Sequence, residues 1–300
     1  MSAIRTEHLS KSYGRLEALN DMTLAVPEGS IFALLGSNGA GKTTAIKTML
    51  NILRPKAGTA EILGMDSRRL GPGEFARIGY VSENQELPLW MRVDYFMGWL
   101  KPFYPGWDDK WAEDLLKQLR LPRDRRLRDL SRGMRIKAAL ASSLAYHPKL
   151  IVLDEPFGGL DALVRDEVIG ALLERCGEAT VFISSHDLAE IETFASHIGY
   201  LEEGRLRFAE ELGTLSNRFR EIEITFDNPP PLPAPWPAAW LEPASAAAVL
   251  RFVDSHYDPN STPAEIRRLF PSARDVAIRP MTLRAIFVSL AKAAREAEAA

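Results

Sequence analysis

Apolar residues recur along the chain in two rhythms. Runs that are apolar almost throughout, 31–35, 150–153 and 180–184, are too short for helices and read as strands buried on both faces. Residues 3–9 and 19–26 alternate instead, which predicts two strands around a bend at Lys11-Ser12-Tyr13-Gly14, with Pro27-Glu28-Gly29 closing the second. Further short strands are predicted at 58–64 and 78–81, and at 198–201, which returns through 205–208 after the turn Glu202-Glu203-Gly204. Helical spacing appears at 45–53 through Ile46, Met49, Leu50 and Leu53, and from Ser131, placed as an N-cap, to Ala145. Strands interleaved with helices predict an α/β fold, with a mixed sheet core and an antiparallel β lead-in.

Residues 84–145 form a segment of different character, expected to be a helical subdomain. Trp90, Trp99, Trp107 and Trp111 fall here, with Tyr95, Phe96, Phe103 and Tyr104 among them. Phe96 and Leu100, then Trp111, Leu115 and Leu119, recur at helical spacing. The favoured expectation is that these aromatics make the subdomain's core, an exposed binding stripe being the alternative, and both hold if one edge is left exposed. The run Arg120, Arg123, Arg125, Arg126 and Arg128, broken by Asp124 and Asp129, reads as a solvated connector. From about residue 215 the pattern changes again, to strands at 222–226 and 248–253, a helix at 283–294 and a frayed tail at 295–300. Residues 229–243 hold seven prolines and read as a connection. The expected organisation is a domain at 1–214 and a small C-terminal α+β domain at 215–300.

Composition changes this picture little. A length of 300 residues, 46% hydrophobic, with a net charge of -3, gives a globular protein without the basic excess of a dedicated nucleic-acid binder. Cys176 is the single cysteine, so no intrachain disulfide and no cysteine zinc cluster can form, and a reducing, cytosolic setting is expected. No stretch approaches the ~20 apolar residues of a membrane helix, and the N-terminus lacks an apolar leader core. A membrane role would run through a partner.

The chemistry lies between the first buried strand and the helix that follows it. Gly36-Ser37-Asn38-Gly39-Ala40-Gly41-Lys42-Thr43-Thr44 contains G-x-x-x-x-G-K-[ST] from Gly36 to Thr43. Glycines let backbone N–H groups turn inward around phosphate oxygens, and the helix start adds its positive dipole end. Lys42 is expected at the β- and γ-phosphates and Thr43 on Mg²⁺. The strand at 150–153 ends in Asp154-Glu155, where α/β sheets place their ligands, so Asp154 is a candidate Mg²⁺ partner and Glu155 a candidate base for an attacking water. His186, at the end of the next buried strand, is a candidate γ-phosphate sensor. Tyr13 alone reads as a surface turn tyrosine.

With the phosphate loop, the Ser131 helix start, Asp154-Glu155 and His186 in that order, residues 1 to about 215 resemble the nucleotide-binding subunit of ATP-binding cassette transporters, of a type similar to bacterial exporter ATPases. The resemblance implies a P-loop NTPase fold of cassette type and an ATPase using ATP and Mg²⁺. It makes Tyr13 the aromatic that stacks on adenine, Gly36 to Thr44 the Walker A loop, and Asp154 and Glu155 the Walker B end and catalytic base. It further makes Leu130 to Met134 the family signature, with Ser131, Arg132 and Gly133 toward nucleotide, Gly159-Leu160-Asp161 the D-loop, and His186 the switch histidine. Two departures stand out. The usual signature Leu-Ser-Gly-Gly-Gln carries Arg132 in place of its first glycine and Met134 in place of its glutamine, and Glu83 stands where the Q-loop glutamine is usual. Glu83 could still orient a Mg²⁺-bound water, without the donor an amide offers.

The resemblance also implies partners: a second copy of the chain or a homologous ATPase subunit, facing it head to tail, and separate membrane-spanning permease subunits. ATP-driven closure of the dimer would energise transport from the cytoplasmic face of the membrane. Two other functions compete. A soluble cassette ATPase acting on nucleic acid or the ribosome usually has two cassettes or a long coiled coil, whereas Lys42 and Asp154 lie 112 residues apart with no heptad run between them, and no nucleic acid is expected. A regulatory protein that binds ATP with little turnover would suit Arg132 and Glu83. Nothing in the sequence names a transported substrate.

Overall fold

The run Ile31–Leu35 offers no polar side chain to water, and all five of its residues are buried. A computed structural model describes residues 1–174, 178–228 and 235–299, the last six as backbone only. Cys176, the first six residues of the proline-rich stretch and Ala300 lie outside the described residues. The chain divides into two compact units, Met1–Ala209 and Glu210–Ala300.

The first unit runs β1 (Ser2–Tyr13), β2 (Leu16–Pro27), β3 (Ile31–Leu35), α1 (Lys42–Met49), β4 (Ala57–Ile62), β5 (Met65–Asp66), α2 (Pro72–Phe75), β6 (Ile78–Ser82), α3 (Val93–Leu100), α4 (Asp109–Gln118), α5 (Arg132–Leu144), β7 (Leu150–Asp154), α6 (Ala162–Leu173), β8 (Thr180–Ser185), β9 (His197–Glu202) and β10 (Arg205–Glu211). Its larger sheet has the order β10-β9-β3-β8-β7-β6, with β3, β6, β7, β8 and β9 parallel. A second sheet, β2-β1-β4-β5, is antiparallel and forms the expected lead-in. One core joins the two, with Ile4, Leu9 and Met22 meeting Ile46 and Met49 of α1, and Phe32 and Leu34 of β3. Within the larger sheet Phe32 and Phe182 stack with centroids 5.6 Å apart.

Strand register positions the site. Leu35 pairs with Ser185, Asp154 with Ser184, and Ser82 with Asp154, so β3, β8, β7 and β6 end level along one edge. That edge is where parallel sheets present ligand-binding groups. Helix α1 starts three residues before the expected Ala45, because the glycine loop runs straight into it. Tyr13 closes β1 rather than lying in a bend, since only Gly14 and Arg15 separate β1 from β2.

The aromatic core expected in the helical segment is a correction. Phe96 is buried, but Trp90, Tyr95, Trp99 and Phe103 are 64%, 56%, 45% and 61% exposed. The core there is largely aliphatic, built by Val93, Met97, Leu115, Leu116, Leu119, Leu127, Ile136 and Leu140. The reason is phase: Tyr95 and Trp99 recur at i, i+4 on the face of α3 opposite Val93, Phe96 and Met97. Beyond α5, Tyr146 stacks on Tyr104 at 3.9 Å and donates its hydroxyl to the Ile78 carbonyl at 2.9 Å, tying the end of α5 to the start of β6. Burial, and then the neighbouring Tyr104, push that phenol far above its ordinary range.

The second unit continues with α7 (Leu212–Arg218), β11 (Arg220–Phe226), β12 (Trp240–Ala246), β13 (Val249–Asp254), α8 (Thr262–Leu269), β14 (Ala273–Pro280) and α9 (Leu283–Ala299). Its antiparallel sheet has the order β12-β13-β11-β14. Alternate residues Ile222, Ile224 and Phe226 join Leu250, Phe252 and Trp240 in packing on Ile266 of α8 and Phe270 just after it. Part of the proline-rich stretch is therefore structure, not connection. Trp240 opens an edge strand that tolerates Pro243 at a bulge, where the register with β13 shifts between Leu241 and Ala244. Strand β14 and helix α8 were not expected, and α9 runs on past 294 to Ala299.

Phe32→Ala removes one ring of the Phe32–Phe182 stack from a site with no solvent access. Chemical denaturation should show the first unit destabilised by about 3–5 kcal/mol.

Candidate nucleotide site

Two backbone positions in the loop between β3 and α1 admit glycine alone. A Cβ at Gly36 would lie 2.4 Å from the Leu201 carbonyl, and one at Gly41 2.5 Å from that of Ala18. Gly41 also caps α1 with φ of 105°, in the left-handed region. The loop is thus clamped between β9 and β2, with Gly204 N–H donating to the Ala40 carbonyl at 2.9 Å and Asn20 N–H to the Gly204 carbonyl at 2.9 Å. Its own N–H groups at the start of α1 have no side-chain cap, which leaves a cradle suited to an anion.

Lys42, 5% exposed, meets two hydrogen-bond acceptors and one counter-charge within the chain. It donates to the Gly36 carbonyl at 2.6 Å and the Ser37 carbonyl at 3.0 Å, and it pairs with Oε1 of Glu155 at 3.0 Å. The other oxygen of Glu155 lies 2.8 Å from Nδ1 of His186. Glu155 has a φ of 51°, so it leaves β7 through a left-handed kink that aims its carboxylate back over the loop. Beside it Thr43 donates to Oδ1 of Asp154 at 3.0 Å. Ser184 donates to the same oxygen at 2.8 Å while accepting the Glu155 N–H at 3.0 Å. Sequence reasoning missed Ser184 as a pivot; a hydroxyl next to the end of an otherwise apolar strand was its signal.

Of the residues expected at the site, the structure gathers Gly36 to Thr44, Asp154, Glu155 and His186. Tyr13 stands at the end of β1, about half exposed, with the Lys11 ammonium 5.4 Å from its ring centroid. Ser131, Arg132 and Gly133 lie elsewhere, at the start of α5. Ser131 caps that helix by accepting the Met134 N–H at 3.2 Å, and Asp161 caps α6 by accepting that of Val164 at 2.9 Å. A Cβ on Gly133 would press on Val164 at 3.1 Å, so the two helix starts pack together there. Among the described residues no hydrogen bond or ion pair joins Ser131, Arg132 or Gly133 to the phosphate loop. The Glu83 N–H donates to the Asp154 carbonyl at 3.0 Å, but its carboxylate pairs with Arg132. Burial raises the phenol pKa of the nearby Tyr80; a Ser82 hydrogen bond partly opposes this, and the Asp154 charge reinforces it.

Strand, phosphate loop and helix, with a carboxylate pair ending one neighbouring parallel strand and a histidine following another, define a P-loop nucleoside triphosphatase. The ABC transporter family model matches residues 19–158. The ABC transporter ATP-binding protein YtrB of Bacillus subtilis (strain 168) is 31% identical over 228 residues, covering 75% of this chain and 77% of its own. The bacitracin transport ATP-binding protein BcrA of Enterococcus faecalis is 34% identical over 222 residues, covering 73% and 72%. A solved structure of an ATP-binding subunit of an ABC transporter matches with a TM-score of 0.66 at 26% identity, over 72% of this chain and 92% of that one. The chain belongs to the family of ABC transporter ATP-binding proteins, and its activity is that family's ATP hydrolysis.

Since the counter-charge of the buried Lys42 is Glu155, an arriving phosphate competes with that carboxylate for the ammonium. Glu155→Gln should therefore lower the stability of the ligand-free chain by about 1–3 kcal/mol. Saturating Mg-ATP should raise the melting temperature of this variant by more than that of the parent, as thermal unfolding with and without nucleotide would record.

Proposed function

We propose that this chain energises a membrane exporter by closing head to tail on a second copy, or on a homologous subunit, around two ATP molecules. The reading rests foremost on the Lys42–Glu155–His186 constellation set beside Thr43–Asp154. Mg²⁺, when bound, would offset phosphate charge; Thr43 and Asp154 are the residues to hold it, with Glu83 a more distant candidate through water. Among the described residues no three acidic, histidine or cysteine side chains cluster as a metal site by themselves.

Glu155 takes the proton of the attacking water once phosphate has drawn Lys42 away from it. His186 holds the carboxylate's other oxygen, so the base is oriented before the reaction begins. Tyr13 offers its exposed ring to adenine. Ser131, Arg132 and Gly133, which make no hydrogen bond or ion pair with the loop of their own chain, and Asp161 at the start of α6, serve the nucleotide of the facing subunit.

No described helix is long and apolar enough to cross a membrane. In this reading the translocating pathway belongs to separate permease subunits, met at the cytoplasmic face. The exposed Trp90, Tyr95, Trp99 and Phe103 support a docking role for the helical segment. So does the adjoining groove of about 630 Å³ between residues 82–89 and α5, lined by Glu83, Leu89, Arg132 and Ile136. Likeness to a bacitracin transport ATP-binding protein supports a bacitracin-like compound as the cargo.

Size-exclusion chromatography of the parent and Glu155→Gln, with and without Mg-ATP, tests the engine. A dimer formed by the variant only with ATP, and phosphate release slowed about 10²-fold or more relative to the parent, are expected. Equal turnover by both proteins would remove Glu155 as the base. For docking, joint Tyr95→Ala and Trp99→Ala substitution should release the chain from membranes of its own cells, while phosphate release by the purified protein stays at the parent rate. Retention on those membranes would place the permease contact elsewhere.

A further inference from the structure

Two of the three positions that depart from the family pattern are partners. Glu83, one residue beyond β6, and Arg132, the first residue of α5, form an ion pair that bridges the sheet edge and the helical segment. Helix α5 has no acidic residue in its first turn, so the Arg132 cation faces the positive end of its own helix dipole and needs an external anion. Glu83 provides one. Its backbone is fixed to the Asp154 carbonyl, so the pair is anchored directly beside the nucleotide carboxylates.

The pair also lies on the segment leading to Asp161. A Cβ at Gly158 would come 3.3 Å from Oε2 of Glu83, and one at Gly159 3.1 Å from Nη1 of Arg132, so bare backbone passes against both charges. Yet the side chains of Arg132 and Glu83 are 47% and 30% exposed, which makes the bond a weak one. An ion pair this open biases an equilibrium by no more than about fivefold. A terminal phosphate carries more negative charge and three acceptor oxygens, and arginine binds such a group through paired N–H donors.

We propose that Arg132 exchanges anions. In the separate subunit it is held by Glu83 of its own chain. In the closed pair it moves to the terminal phosphate of the ATP on the facing subunit, so that Glu83 restrains closure until nucleotide supplies a better acceptor. This rests on the head-to-tail reading above, and it assigns that reading an internal brake.

The test uses the full chain with Glu155→Gln as background and reads two constants: Mg-ATP affinity at low protein concentration, and the dimer dissociation constant in saturating Mg-ATP by analytical ultracentrifugation. Adding Glu83→Gln should tighten the dimer about two- to fivefold. Adding Arg132→Gly should loosen it about tenfold or more. The charge-exchanged double variant, Glu83→Arg with Arg132→Glu, keeps a bridge within the chain but presents a carboxylate to the facing phosphate, and should dimerise no better than Arg132→Gly. A charge-exchanged variant that dimerises like the background would overturn the exchange and leave a plain structural bridge. So would a Glu83→Gln variant that dimerises no more tightly. If the background binds Mg-ATP yet never dimerises, the head-to-tail reading itself fails and takes the inference with it.

Discussion

Everything at the nucleotide site depends on where a buried ammonium finds its counter-charge. Lys42 is almost without solvent, and burying an ammonium is costly unless acceptors replace the water it has lost. Two backbone carbonyls of the loop and one carboxylate from the end of β7 do so. That requirement couples elements far apart in sequence. The loop must fold back on Lys42, β7 must end level with β3, and Glu155 must adopt a left-handed backbone to aim its carboxylate. The parallel register of β3, β8 and β7 delivers that alignment, and their apolar faces fix the register because a one-residue slip would turn every side chain to the opposite face.

The same economy explains what the sequence made legible. Buried parallel strands are read directly because they lack polar residues, and Gly36 to Thr43 is read because phosphate chemistry demands glycines and a Lys-Thr at set offsets. Side-chain pairings between distant segments were not legible. Glu83 and Arg132 each looked like an isolated substitution, and only the fold shows that one neutralises the other. Ser184 was hidden for a related reason: a hydroxyl at a strand end is common, and its bridging of Asp154 and Glu155 depends on a register no local pattern encodes.

Errors in the helical segment and the second unit have simple physical origins. Aromatic content is a poor guide to burial when two faces of one helix carry it, and in α3 the phase of Tyr95 and Trp99 opposes that of Val93, Phe96 and Met97. Seven prolines between 229 and 243 argued for a connection. They did not forbid Trp240–Ala246, because an edge strand leaves N–H positions unpaired and a bulge at Glu242 and Pro243 absorbs the missing donor. The aromatic cluster of Trp236, Trp240, Phe252 and Phe270 then makes this strand part of the unit's core.

The Glu83–Arg132 pair lines the groove between residues 82–89 and α5, and that placement ties the groove to the phosphate loop. Large aromatic side chains left in water gain free energy when covered, roughly in proportion to the apolar area removed. A partner segment seated in the groove itself would lie beside Glu83 and Arg132. Glu83 is joined to Asp154 through one backbone hydrogen bond and to α5 through Arg132. Few covalent and hydrogen-bonded steps therefore separate the groove from the carboxylates at the end of β7. Because the Arg132 link is half in solvent it is the weakest step in that chain, and a helical segment that turns relative to the sheet would part there while the buried Tyr146–Ile78 bond keeps α5 attached at its other end.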